Sequence, residues 1–185
     1  VRRSIERPAY KEKRRIRSYK QADPESTVFV ELKKKYDSIV YKRRITLPEA
    51  EAMEWICGGA HCHKHSQISE EIDYFLSYYQ TLRPAVFLSY EREAYYSLDG
   101  GDFRVTFDDT ILCREDNLTL RAEPYGTPLL PEGMVLMEIK CSGGIPLWMT
   151  RVLSRERIYK TSFSKYGTAY ETIIYPNLHK EILYV

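Results

Sequence analysis

Cations at alternate positions are the feature of this sequence best suited to chemistry. In YKEKRRIRSYKQ (10–21) the odd positions hold Lys11, Lys13, Arg15 and Arg17. Side chains two apart share one face of a β-strand, so the four would stand in one row. The pattern recurs further along. Phe29, Glu31 and Lys33 oppose Val28, Val30 and Leu32. Tyr90, Arg92 and Ala94 lie on one side of their segment, and Arg104, Thr106 and Asp108 oppose Phe103, Val105 and Phe107. Glu138 and Lys140 oppose Val135, Met137 and Ile139. A sheet with one face in water gives such a split. A closed barrel with charge inside and an apolar exterior covered by helices gives it too. The polar faces mix cations with isolated acids rather than with many Ser, Thr and Gln, which favours the barrel.

A face bearing Arg15, Arg17, Lys33, Arg92 and Arg104 concentrates positive charge. Enclosed, it would need a polyanion, because buried like charges repel and are poorly solvated. Arginine grips phosphate through two parallel hydrogen bonds and lysine acts as a point charge. Glu31 and Glu138 could partner these cations or hold a hard divalent ion such as Mg²⁺ or Mn²⁺. The implied ligand is a di- or triphosphate with its metal. Phosphoryl transfer suits such a site, since its catalysis is mostly positioning and charge stabilisation.

The elements that must position these residues follow from punctuation and periodicity. Residues 10–20 read as a strand and 27–47 as two strands with a bend near Tyr36–Ser38. Thr46 and Glu49 suggest a capping box opening a helix that stops at Gly58–Gly59. A second helix is expected over about Ser69–Leu82, with Ile72, Phe75, Leu76 and Tyr79 on one stripe. Residues 85–98 and 102–116 form a hairpin about Asp99–Gly100–Gly101, 134–142 is a strand, and 145–159 a helix with Pro146 in its first turn. Strands, helices, strands and helix in that order predict an antiparallel α+β fold.

The length, 185 residues, suits a single domain. Net charge is only +2, yet residues 1–44 hold 15 of the 28 Lys and Arg and 6 of the 26 Asp and Glu. That asymmetry points to an anionic ligand or partner. No apolar run is long enough to span a bilayer and no secretory signal is visible, so a cytoplasmic chain with reduced thiols is expected.

Three rival constellations are weaker. Cys57, His61, Cys62, His63 and His65 crowd together, but their spacing fits no standard zinc frame, so a polar loop without zinc is expected. Cys113 and Cys141 read as small hydrophobes within strands. The sixteen tyrosines beside basic segments could suggest single-stranded nucleic acid, but Tyr74, Tyr78 and Tyr79 cluster on a helix, where packing is the expected role. WMTRVLSRER could pass for a membrane-surface helix, but Trp148 and Val152 are expected to cover the barrel.

Six segments then occur in one order: KEKRRIRSY, VFVELKKK, SYEREAY, FRVTFDD, LMEIKCSGGIPLW and FSKYGTAYE. Together they resemble the VTC domain of polyphosphate polymerases, a branch of the triphosphate tunnel metalloenzymes of the CYTH-like superfamily. The resemblance spans about Arg7 to Tyr170. It implies a tunnel of eight antiparallel strands, in which the terminal phosphate of ATP passes to a growing polyphosphate chain. By resemblance, Arg15 and Arg17 match the paired arginines of the basic strand, and Lys33 matches the lysine of "E-x-K", beside Glu31. Arg92 matches the arginine of "Y-x-R-x-A-[YF]", which Tyr90 opens, and Arg104 the arginine of the next strand. Glu138 matches the metal-binding glutamate of "M-E-[IV]-K", followed by Lys140. Ser164 and Lys165 match "S-K-[YF]", which contacts phosphate near the tunnel mouth.

The resemblance implies Mn²⁺ or Mg²⁺ as cofactor, ATP and polyphosphate as ligands, no nucleic acid, and an inositol-phosphate or membrane-protein partner. It leaves open a triphosphatase or a non-catalytic polyphosphate or inositol-phosphate binding module. Retention of Glu138 favours catalysis. The family's first strands, with a further tunnel lysine, have no counterpart here, so the expectation is either a truncated chain or one whose tunnel is closed by a missing piece or partner.

Overall fold

The computed structural model describes residues 9–37 and 39–177. The chain is α+β with antiparallel sheets, and it divides into two compact units. The first takes in residues up to Phe87 together with Glu115–Pro124; the second takes Leu88–Arg114 and the residues from Tyr125 onward.

The first unit is a three-stranded sheet in the order β1-β2-β3: β1 (Tyr10–Arg17), β2 (Thr27–Tyr36) and β3 (Ile39–Pro48). One face of β2 is Val28, Val30 and Leu32, all fully buried. Ile16, Ile45 and Leu47 extend this apolar face onto the flanking strands. Two helices cover it, α1 (Glu49–Gly58) with Ala52, Trp55 and Ile56, and α2 (Gln67–Tyr78) with Ile72 and Phe75. Burying a side chain of this size stabilises the unit by roughly 1.5–3 kcal/mol.

The helix ends correct two expectations. Thr46 lies within β3, and α1 opens after Pro48 without a side-chain cap. Glu49 makes no capping box. Its buried carboxylate instead accepts from Arg121 Nε at 2.8 Å and Nη2 at 2.6 Å. Gly59, at φ 81°, closes α1 in the left-handed conformation that glycine adopts without penalty. The true capping box is at α2, which begins two residues earlier than expected. Ser66 Oγ accepts from Ser69 N at 3.1 Å, and Ser69 Oγ accepts from Ser66 N at 2.8 Å. Ser66→Ala is expected to cost about 1 kcal/mol, read as a lower urea midpoint at unchanged slope.

The second unit is a four-stranded sheet built on β5. Its strands are β4 (Phe87–Tyr96), β5 (Arg104–Arg114), the short β6 (Thr127–Pro128) and β7 (Leu136–Lys140). β4 is hydrogen-bonded to β5, β7 pairs with the first half of β5, and β6 with the second. Three helical segments follow: α3 (Leu147–Arg155), the short α4 (Lys165–Ala169), and a π-helical turn over Tyr170–Ile174. Met149, Ala169, Tyr170 and Ile174 are buried. Pro146 is the residue before α3 rather than part of its first turn.

Other expectations are corrected here. Tyr74 and Tyr78 are exposed and stack on each other at 6.4 Å, whereas Phe75 is buried and Tyr79 packs against the core. Trp148 is exposed too, meeting Phe103 edge-on at 5.6 Å. Cys113 is buried in β5, but Cys141 lies beyond β7, partly exposed, with Sγ 3.3 Å from the Gly143 carbonyl. The strands fall in two antiparallel sheets, of three and four strands, and no closed barrel is found among the described residues. No helix among these residues is long and apolar enough to cross a membrane.

Candidate functional site

In the first unit, register converts alternation into a charged face. Lys13 pairs with Lys33, and Lys33 with Lys42, which sets three lysines in a row across the sheet. The next row is Arg15, Glu31 and Arg44, and the one after is Arg17, Phe29 and Thr46. Directly paired residues share a face, and like charges placed so are destabilising. Burial holds the Lys13 pKa below its ordinary value, and Lys11 and Lys33 push the same way.

Glu31 is the carboxylate of this face and is only 2% exposed. Its Oε1 accepts from Lys42 Nζ at 2.8 Å and from Arg44 Nη2 at 2.5 Å; Arg15 Nε binds Oε2. Burial alone would raise its pKa, but Lys42, Arg15 and Arg44 overcome that and hold it at about 2. A metal role for Glu31 sits poorly with this arrangement, because three cations already occupy its two oxygens. Beyond it the face becomes aromatic. Arg17 lies 4.6 Å from the Tyr19 ring, Tyr19 meets Phe29 edge-on, and Arg44 lies 4.8 Å from the Phe29 ring. Lys42 and Arg44 were missed by the sequence reading. Their alternate spacing in VYKRRIT was the available signal, and only the β2–β3 register places them beside Glu31.

In the second unit the charged residues gather about Asp108, which is fully buried. Arg92 grips it with both arms, Nε to Oδ1 at 2.5 Å and Nη2 to Oδ2 at 2.6 Å. Lys165 Nζ donates to the same Oδ2. Burial opposes ionisation of Asp108, but these two cations hold its pKa below the ordinary value. Arg92 is in turn pushed up by Asp108. Tyr90 presents its ring to both cations, 5.1 Å from the Arg92 Cζ and 4.5 Å from the Lys165 Nζ. Ser164 precedes α4 and caps it, its Oγ accepting from Gly167 N at 3.2 Å.

Across β5 from these groups, Arg104 pairs with Lys140 and Thr106 with Glu138. Arg104 Cζ lies 5.7 Å from the Tyr96 ring. Arg104 Nε and Thr106 Oγ1 are buried without a hydrogen-bond partner. A buried donor left so costs about 1–3 kcal/mol, which an anion could recover. Glu138 is different in kind. Its side chain is 44% exposed, with Oε1 3.0 Å from Lys140 Nζ and Oε2 3.9 Å from Arg92 Nη2. One accessible carboxylate among several cations fits Mg²⁺ or Mn²⁺ arriving with a phosphate ligand, since such ions bind through one or two carboxylates and take phosphate oxygens and water for the rest. No group of three or more His, Cys, Asp and Glu among the described residues is placed to hold an ion unaided.

The structure thus brings Arg15, Lys33 and Glu31 onto one face with Arg17. It brings Tyr90, Arg92, Arg104, Glu138, Lys140 and Lys165 together in the second unit, and adds Asp108, which the sequence reading noted on the polar face without assigning a role. The family model described as VTC domain matches residues 1–174. No curated protein matches the chain.

Proposed function

The chain belongs to the VTC domain family, and from that premise we propose that it transfers the terminal phosphate of ATP to a growing polyphosphate chain. The observation that carries this reading is the second unit's cluster. Arg92 and Lys140 flank one accessible carboxylate, Glu138, Lys165 joins Arg92 at Asp108, and Arg104 Nε and Thr106 Oγ1 have no hydrogen-bond partner. Arg92 and Lys165 would use the N–H groups that Asp108 leaves free to hold phosphate oxygens. Arg104 would add its unpartnered N–H. These fixed donors would stabilise charge spreading over the transferred group without reorganising.

Glu138 would hold the divalent ion, Mn²⁺ or Mg²⁺, which supplies further charge neutralisation on the phosphates when bound. In the first unit, Arg15, Arg17, Lys33 and the two added cations Lys42 and Arg44 would bind polyphosphate oxygens. Glu31 would aim Arg15 and Arg44 rather than take the metal. The closed tunnel that family membership implies is part of this proposal.

Incubation with ATP and Mn²⁺ tests it. Long-chain polyphosphate is the expected product. Free phosphate without polymer would instead identify a triphosphatase, and neither product would leave a binding module. Glu138→Gln is expected to lower product formation by roughly 100-fold or more. Unchanged activity in that variant would remove Glu138 from the metal site.

A further inference from the structure

We propose that Asp108 is a positioning residue, which holds the Arg92 guanidinium and the Lys165 ammonium side by side so that their remaining donors face the same phosphate. The inference rests on reading the second unit's basic face as the phosphate site. It starts from an incompatibility. Arg92 comes from β4 and Lys165 from the first residue of α4, yet both lie over the single ring of Tyr90, at 5.1 Å and 4.5 Å. Two cations so close repel unless a negative charge stands between them. Asp108 supplies that charge from the middle of β5, fully buried, with both oxygens engaged.

The grip is also directional. Binding through Nε and Nη2 fixes the plane of the guanidinium, because the planar fork matches the carboxylate edge. Lys165 has a rotatable ammonium on a flexible stem, and one anchored N–H restricts it. Asp108 itself has no exposed surface and cannot touch substrate. It therefore acts through the two cations, and its removal has two opposite effects. Loss of its charge raises the positive potential at the site and favours polyanion binding. Loss of its hydrogen bonds lets both cations wander, and misplacement by about 1 Å can slow a reaction about 100-fold.

The test uses the whole chain and Asp108→Asn. Turnover is expected to fall about 100-fold, while affinity for inorganic tripolyphosphate, measured by calorimetry without ATP, stays unchanged or tightens up to about 10-fold. Damage to the fold alone would weaken both together, and that result would overturn the proposal, as would no change in either. Side-chain NMR of the Lys165 ammonium, assigned with Lys165→Met, reads the positioning directly. Its slow hydrogen exchange should disappear in Asp108→Asn, and an unaltered signal would also overturn the proposal. A wild-type chain that binds tripolyphosphate but makes no polymer would defeat the polymerase reading alone, leaving the Lys165 signal to judge Asp108. If Asp108→Asn does not fold, Asp108→Glu carries the same readouts. Its charge is kept but its longer arm displaces both cations, so turnover should fall with affinity retained.

Discussion

Replacing Arg92 with methionine is expected to lower the unfolding free energy by about 3 kcal/mol and to slow the proposed phosphoryl transfer by roughly 100- to 1,000-fold. The stability effect follows from burial. Asp108 has no exposed surface, and Arg92 contributes two of the hydrogen bonds that keep it ionised there. Removing one partner of a buried pair leaves a charge without solvent or full compensation, which is far worse than losing an exposed ion pair. Lys165 remains bound to Oδ2, which holds the loss near the lower end of the range for such pairs. The catalytic effect has a separate origin, the missing donors on the phosphate. Arg92→Lys separates the two. It restores a charge for Asp108 and so recovers part of the stability, but a point charge cannot reproduce the planar fork. Urea unfolding and polymer formation on the two variants make the comparison. Wild-type stability in Arg92→Met would mean that the Arg92–Asp108 pair does not carry the weight assigned to it.

Glu31→Gln is expected to destabilise the chain by on the order of 2 kcal/mol at neutral pH, and the loss should vanish in acid. The folded-state pKa of Glu31 is about 2, against an ordinary value of 4.5. Between those values the unfolded chain binds a proton that the folded chain does not. The stabilisation is therefore fully present above about pH 5 and is lost as pH falls from 4.5 toward 2. A shift of this size corresponds to roughly 3 kcal/mol, and water around the partly exposed Arg15, Lys42 and Arg44 reduces it. Without Glu31, the cross-strand row of Arg15 and Arg44, with Lys42 beside it, would lose the carboxylate that these three cations share. Added tripolyphosphate should consequently raise the melting temperature of Glu31→Gln more than that of the wild type. Thermal melts from pH 2 to pH 8, with and without tripolyphosphate, check both parts. Parallel curves for the two proteins across that range would show that Glu31 gains nothing from its three partners.

Much of this molecule is legible in the sequence because alternation and punctuation are local. Val28, Val30 and Leu32 announce a buried strand face whatever lies beyond them, and the opposite parity of Glu31 and Lys33 follows from backbone geometry alone. The hairpin at Asp99–Gly100–Gly101 and the end of α1 at Gly59 are local in the same way. The six segments that resemble the VTC domain are read in order along the chain, and the family model covers them. Local signals also misled. Thr46 and Glu49 have the spacing of a capping box, but strand pairing of Thr46 with Phe29 claims the first, and Arg121, distant in sequence, claims the second.

What the sequence could not supply was which charges meet. Cations and acids are equally spaced whether they face water, a ligand or one another. The pairing register brings Lys42 and Arg44 to Glu31, and the packing of α4 brings Lys165 to Asp108. Those encounters separate two buried carboxylates that organise cations from Glu138, which remains accessible. Parity along a strand is set by the backbone, so residue types determined the charged faces in advance. Partnership depends on distances between residues far apart in the chain, and only the tertiary structure decided those.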